Sequence, residues 1–245
     1  MKKILKSLLS FAIGVIILIA AYVGINEGLA LYVHHNLDDT HLTTQEPYIY
    51  VENRENEQEV VTAINNVLDK IPKCFSKEFK SNWKVVVSAT PPKVINQMTT
   101  FTVDYASGLN LTTGKTIWIS ANMNDQYEVL FAHEMGHFIA YELKGADFSD
   151  AFQAVYDEYR EDYIQYGNKE VDAYNASSAN EFYAMLCQEY ICYPDYLNEK
   201  APRAYEYMEK EFDRKPYSFF LSKYFNELVP VFYIVKAQAQ ELFKI

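Results

Sequence analysis

Two histidines one helical turn apart carry the strongest chemical signal in the chain. His133 and His137 enclose Glu134 in an H-E-x-x-H motif. In a helix, residues i and i+4 lie on the same face, so the two imidazoles can bind one metal ion. Glu134 lies one position farther around the helix, where its carboxylate can reach a water on the metal without binding the metal itself. This arrangement is typical of a zinc peptidase.

The residues around the motif favour metal binding over two ordinary core histidines. Residues 129–140 are apolar almost all round apart from the motif, which predicts a buried helix. Burying two imidazoles and a carboxylate would cost several kcal/mol unless they are paired or bind a metal. Asp125 and Glu128 form a capping-box-like start of this helix, and Lys144 with Gly145 forms a good end. We therefore predict one helix that presents both histidines to a metal ion.

A catalytic zinc usually has three protein ligands, so the two histidines require a third ligand. The remaining histidines, His34, His35 and His41, all lie far upstream. No histidine follows His137, so an extended three-histidine motif is absent. The third ligand should therefore be a carboxylate, which would make a His-His-Glu site.

Glu158 and Glu181 compete for that role. Glu158 is surrounded by charged residues at 157, 160, 161 and 162, which is typical of a solvated helix face. Ser178 precedes Glu181 by three positions, so Glu181 could serve only as part of a capping box. Its helix is otherwise apolar, however, and Ala184 is small enough to allow close approach to the motif helix. These residues favour Glu181 as the ligand.

The motif, a tyrosine at 174 and the run Glu181-Phe182-Tyr183-Ala184 together resemble a known family. They resemble the catalytic domain of anthrax lethal factor and are similar to the small secreted Pro-Pro endopeptidases, which share its fold. In that family the H-E-x-x-H helix is followed by a glutamate ligand in an E-x-x-A-like context. A tyrosine lies seven residues before that glutamate, which matches the interval from Tyr174 to Glu181. The resemblance covers roughly residues 46–220.

The resemblance implies a zincin-like metallopeptidase of the gluzincin type. One Zn²⁺ would be held by His133, His137 and Glu181, with Glu134 as the general base. Tyr174 would donate its phenol O–H to the oxyanion that develops during peptide hydrolysis. The expected substrate is a protein or peptide. The alternative is a catalytically inactive surface binding module built on the same fold.

The hydrophobic pattern predicts an α+β fold with a mixed first half and a helical second half. Helical spacing covers 57–71, and a strand is predicted at 83–88. A hairpin is predicted to pair 100–104 with 115–120, and strand 115–120 is expected to offer its edge to an extended substrate.

Helical patterns dominate the second half of the chain. They cover a tyrosine-rich stretch from Tyr156 to Tyr166, then 178–193 and 198–213, and two further pieces around Pro230.

The N-terminus carries an export signal. Lys2, Lys3 and Lys6 precede an apolar run at 8–25, which is just long enough for a membrane span. We predict that residues 1–25 are a signal peptide or an N-terminal membrane anchor and that 26–45 form a polar linker. The segment Gly28-Leu29-Ala30 is only a mediocre cleavage site. Residues 46–245 would then form one catalytic domain, secreted or anchored on the outer face of the cell membrane.

The overall charge excludes one class of partner. The 245 residues carry a formal net charge of −11, which argues against nucleic-acid binding. The hydrophobic content of 49% is sufficient for a substantial core. We expect a monomer whose partners are its substrate and, through the N-terminal segment, the membrane.

Overall fold

The computed structural model of the chain describes residues 2–38, 43–52, 56–99, 107–123, 126–143, 145–166 and 174–214. Three sequence predictions lie outside these residues: the strand at 100–104, the helix cap at Asp125 and the helices around Pro230.

A single mixed sheet forms the centre of the fold. Its five strands are arranged in the order β1-β2-β3-β5-β4. Strands β2, β3 and β5 are parallel, whereas β1 and β4 pair antiparallel with their neighbours. The strands span β1 Thr43–Glu46, β2 Ile49–Val51, β3 Lys84–Ser88, β4 Gly108–Leu111 and β5 Thr116–Ser120.

Helices surround the sheet and make up the second half of the described chain. From residue 126 onward, the described residues form only helices and turns, as the sequence predicts. Among the described residues, no helix is both long and apolar enough to cross a membrane. The helices are α1 Lys2–Asp38, α2 Glu57–Lys70, α3 Lys73–Asn82, α4 Lys93–Met98, α5 Tyr127–Glu142, α6 Asp150–Tyr166, α7 Ala179–Cys192, α8 Pro194–Lys200 and α9 Pro202–Asp213.

The predicted helix at 198–213 is divided in two in the structure. Helix α8 ends at Lys200, and α9 begins with Pro202 in its first turn. Proline lacks a backbone N–H and cannot continue a helix, but its fixed φ suits the first helical position.

The two faces of the sheet bury different residues because strand side chains alternate. Aligned residues Val85 and Ile117 point to the main core, whereas their neighbours Val86 and Trp118 point to the opposite, outer face. All four side chains are at most 2% exposed. Interior parallel strands covered on both faces are typically continuous in apolar residues, as β3 and β5 are.

The last turns of α1 cover the outer face of the sheet. Val33 and Leu37 are fully buried there. Lys115 is also buried, and its Nζ lies 2.6 and 2.7 Å from the two carboxylate oxygens of Glu27. The sequence predicts a polar linker at 26–45, but residues up to Asp38 continue α1 and part of this segment packs against the sheet. The physical reason is the apolar spacing of positions 30, 33 and 37, which share one helix face.

The sheet order corrects the predicted edge strand. Strand β5 pairs with β3 on one side and β4 on the other, so it has no free edge for a substrate. In the described sheet the terminal strand on this side is β4, Gly108–Leu111. It also takes the place beside β5 that the sequence assigns to residues 100–104.

Candidate metal centre

Helix α5 carries both histidines of the motif on one face. Their rings lie 5.2 Å apart between centroids and are nearly perpendicular, at 82°. The side chains of His133 and His137 are 13% and 14% exposed, so both border solvent at one edge of a largely buried helix. The helix terminates as predicted, because Gly145 adopts a left-handed φ of 75° and its N–H donates to Ala140 O at 2.9 Å.

Helix α7 brings Glu181 to the two histidines. The Oε2 atom of Glu181 lies 3.3 Å from His133 Nε2 and 3.6 Å from His137 Nε2. The Ser178 half of the predicted capping box also forms, since the Glu181 N–H donates to Ser178 Oγ at 3.2 Å. The two interpretations of Glu181 are therefore compatible: its backbone is capped while its carboxylate faces the imidazoles.

Small residues allow the two helices to approach this closely. A Cβ added at Gly136 would lie 2.6 Å from Ala184 Cα, 3.0 Å from Ala184 O and 2.9 Å from Cys187 Cβ. Two of these atoms belong to the backbone of α7 and cannot move without displacing the helix. The close approach expected from Ala184 thus depends equally on Gly136, the fourth residue of the motif.

The three side chains could hold one metal ion. One potential ligand atom from each of His133, His137 and Glu181 lies within 4.8 Å of the other two. Tetrahedral bonds of 2.0–2.1 Å place neighbouring ligand atoms about 3.3 Å apart, close to the two separations measured here. Two imidazole nitrogens and a carboxylate are also the donor set of several catalytic zinc sites.

Glu158, the competing candidate, lies elsewhere. It is hydrogen-bonded to Arg203 Nη1 on α9, and its side chain is 34% exposed. It does not belong to the group formed by the two histidines and Glu181.

The two glutamates of the centre have opposite electrostatic environments. Burial raises the pKa of Glu134 to about 7, with a smaller opposing contribution from His133. Burial would also raise the pKa of Glu181, but hydrogen bonds to His133 and His137 hold it well below its usual range. Glu181 is thereby kept as an anion, whereas Glu134 can exchange a proton near neutral pH.

Tyr174 is an exposed neighbour of the two glutamates. Its side chain is 61% exposed. Partial burial raises the pKa of Tyr174, and the charge of Glu181, a hydrogen bond to Glu181 and the charge of Glu134 add to the rise. The Tyr174 phenol therefore lies within electrostatic reach of both carboxylates.

Strand β4 contacts the motif helix at residues that the sequence does not predict for the site. Asn110 Nδ2 donates to the backbone carbonyl of Glu134 at 3.1 Å, and Gly108 lies directly against the Glu134 carboxyl group. Neither residue belongs to a recognisable motif. The glycine and asparagine in the short run Gly108–Leu111 also weaken its strand signal.

No known family is identified by sequence comparison. The chain matches no protein-family model and no curated protein.

Proposed function

We propose that the protein is a zinc-dependent endopeptidase that acts outside the cytoplasm. The observation that carries this proposal is the position of Glu181, whose Oε2 faces the Nε2 atoms of both His133 and His137. Two histidines at i and i+4, a carboxylate from a second helix and an intervening glutamate make a catalytic zinc centre of the His-His-Glu type. The likeness of these residues to the lethal factor family supports the same proposal and a zincin-like fold.

The roles of the protein groups follow from their positions. When bound, Zn²⁺ supplies Lewis acidity, which polarises a peptide carbonyl and acidifies a water. Glu134 accepts a proton from the attacking water and delivers it to the leaving amine. Burial raises the pKa of Glu134 to about 7 in the metal-free site, which opposes the lowering by a bound cation and so favours proton transfer near neutral pH.

Tyr174 and strand β4 complete the proposed site. The Tyr174 phenol donates to the oxyanion that develops on the scissile carbonyl. An extended peptide adds to the outer edge of β4, the strand that contacts Glu134, and not to β5. The sequence predicts that β5 receives the substrate. We assign this role to β4 because β4 is the terminal strand of the described sheet.

The location rests on the N-terminal sequence. Lysines at 2, 3 and 6 followed by the apolar run at 8–25 favour export of the catalytic domain to the outer side of the membrane. Substrates are therefore proteins or peptides at or beyond the cell surface.

Cleavage of a degenerate peptide library by the full-length protein tests the function directly. Zinc content is measured on the same sample, and Glu134→Ala serves as the control. We expect one zinc per chain and cuts that disappear in the Glu134→Ala protein and after chelation. Cuts that persist in this variant would contradict the mechanism. Zinc binding without any cleavage would instead favour the inactive binding module.

A further inference from the structure

Strand β4, proposed above to receive the substrate, also contacts α5 at Glu134. Asn110 Nδ2 donates to Glu134 O at 3.1 Å, and Asn110 Oδ1 accepts from Thr112 Oγ1 at 3.0 Å. Both ends of the Asn110 amide are therefore used, which fixes its orientation. The strand is tied by this side chain to the backbone of Glu134.

Gly108, two residues earlier on the same strand, leaves space for the Glu134 carboxyl group. A Cβ added at Gly108 would lie 2.5 Å from Glu134 Oε1 and 3.2 Å from Glu134 Cδ. Gly108 has no left-handed φ; among the described glycines, only Gly145 has one. The backbone of Gly108 would thus accept alanine, and the three atoms nearest to the added Cβ all belong to the Glu134 side chain.

We propose that Gly108 and Asn110 are positioning residues for Glu134. Asn110 fixes the glutamate backbone against β4, and Gly108 provides the space into which its carboxyl group turns. The proposal rests on the proposed function, in which Glu134 is the general base. It adds to that function a strand that positions the Glu134 side chain, whereas the metal ligands depend on the contact between α5 and α7.

The expected size of the effect follows from the distances. Ordinary contact between a Cβ and another atom begins at 3.4 Å, so a side chain at Gly108 would displace Oε1 by about 1 Å. A displacement of about 1 Å of a catalytic group can cost about 10²-fold in rate. The clash involves the end of a flexible side chain, so the variant should fold normally while catalysis suffers.

Gly114 offers a matched control at the other end of the same hairpin. A Cβ there would lie 2.7 Å from Leu111 Cδ2 and 3.2 Å from Val33 Cγ2, also side-chain atoms. The crowding is similar, but it involves the outer face of the sheet and not Glu134. Gly108→Ala and Gly114→Ala therefore differ chiefly in whether the displaced group is the base.

The kinetic experiment compares these two variants in the full-length protein, using a peptide identified from the library. For Gly108→Ala we expect kcat to fall about 10²-fold, with KM, zinc content and the thermal midpoint nearly unchanged. Gly114→Ala should keep its kcat. A rise in KM at constant kcat would show that Gly108 serves the substrate, and equal kcat values in both variants would also overturn the proposal.

A crystal structure of zinc-loaded Gly108→Ala provides a readout that needs no activity. We expect the Glu134 carboxyl group to move by about 1 Å while His133, His137 and Glu181 keep their positions. An unmoved carboxyl group would refute the steric argument. If the unsubstituted protein shows no turnover, the proposed function fails, but this structure still decides whether Gly108 positions Glu134.

Asn110→Ala tests the second half of the proposal, with Asn66→Ala as its control. Asn66 also donates to α5, but to the exposed Glu128 side chain at 3.3 Å. We expect kcat to fall in Asn110→Ala with zinc retained, and to stay unchanged in Asn66→Ala. Unchanged kcat in Asn110→Ala would remove Asn110 from the proposal.

Discussion

Glu134 and Glu181 lie beside the same pair of histidines, yet their carboxyl groups have opposite shifts of pKa. Glu134 is only 6% exposed, and burial raises its pKa to about 7. Glu181 faces two imidazoles, which keep its pKa well below the usual range despite partial burial. One residue type thus supplies a permanent anion suited to a metal and a group that can exchange protons.

The two carboxylates are also held by different parts of the fold. Glu181 depends on the packing of α7 against α5, where Gly136 and Ala184 are in close contact. Glu134 depends on β4 through Asn110 and Gly108. Metal binding and proton transfer should therefore be separable by substitution.

The largest loss of zinc and activity is expected when Glu181 is substituted. Glu181→Ala should lose zinc and with it all activity, because two histidines alone leave the ion short of a ligand. Zinc per chain, measured by elemental analysis after dialysis, checks this expectation. Glu158→Ala is the control and should retain zinc and turnover. Loss of zinc from that variant, and not from Glu181→Ala, would reverse the ligand assignment.

Substitution of Glu134 should leave zinc binding unchanged. Glu134→Gln keeps the shape of the side chain but cannot accept the proton, so kcat should fall about 10²- to 10⁴-fold. Zinc content should match that of the unsubstituted protein. Steady-state kinetics and elemental analysis on one preparation measure both quantities. Near-normal turnover would exclude Glu134 as the base.

Tyr174 lies near both carboxylates and should affect only the transition state. Tyr174→Phe should reduce kcat about 10²-fold, as expected for loss of one oxyanion donor, with KM and zinc unchanged. Tyr193 is a comparably exposed tyrosine, and Tyr193→Phe serves as the control. A kcat that is the same in both variants would argue against a catalytic phenol.

A smaller effect, on stability and zinc affinity, is expected for substitution at the contact between α5 and α7. Gly136→Ala forces a methyl group against the backbone of α7 and should destabilise the fold by about 1–3 kcal/mol. Zinc affinity should fall as well, because Glu181 moves with α7. Urea unfolding and zinc titration measure the two effects. Gly28→Ala, at a helical glycine with no atom within 4 Å of the added Cβ, should cause neither loss.

The candidate metal centre is more predictable from the sequence than the sheet is. The spacing of His133 and His137, the Ser178 cap and the small Ala184 are local features, and local features are visible in one sequence. The order of strands is not local. The sequence therefore assigned a free edge to β5, which lies inside the described sheet.

Residue composition explains why the strand predicted at 100–104 and the linker predicted at 26–45 differ from the structure. Residues 100–104 are rich in β-branched and aromatic side chains, whereas β4 contains glycine and asparagine, which strands disfavour. The sequence predicts a linker at 26–45 because this segment is polar and carries His34, His35 and His41. The buried positions at the end of α1 are only Ala30, Val33 and Leu37.

For the proposed surface-anchored peptidase, the docking of α1 would determine which peptide bonds come within reach of the candidate metal centre. Because the helix continues from the apolar run to its contact with the sheet, the dozen residues from 26 to 37 span about 18 Å as a stiff rod. A flexible linker of that length would let the metal centre sample a broad volume. A docked helix instead holds it at one height and one orientation above whatever surface receives the apolar run. Targets fixed to that surface at the matching height gain effective concentration, and targets at other heights are out of range.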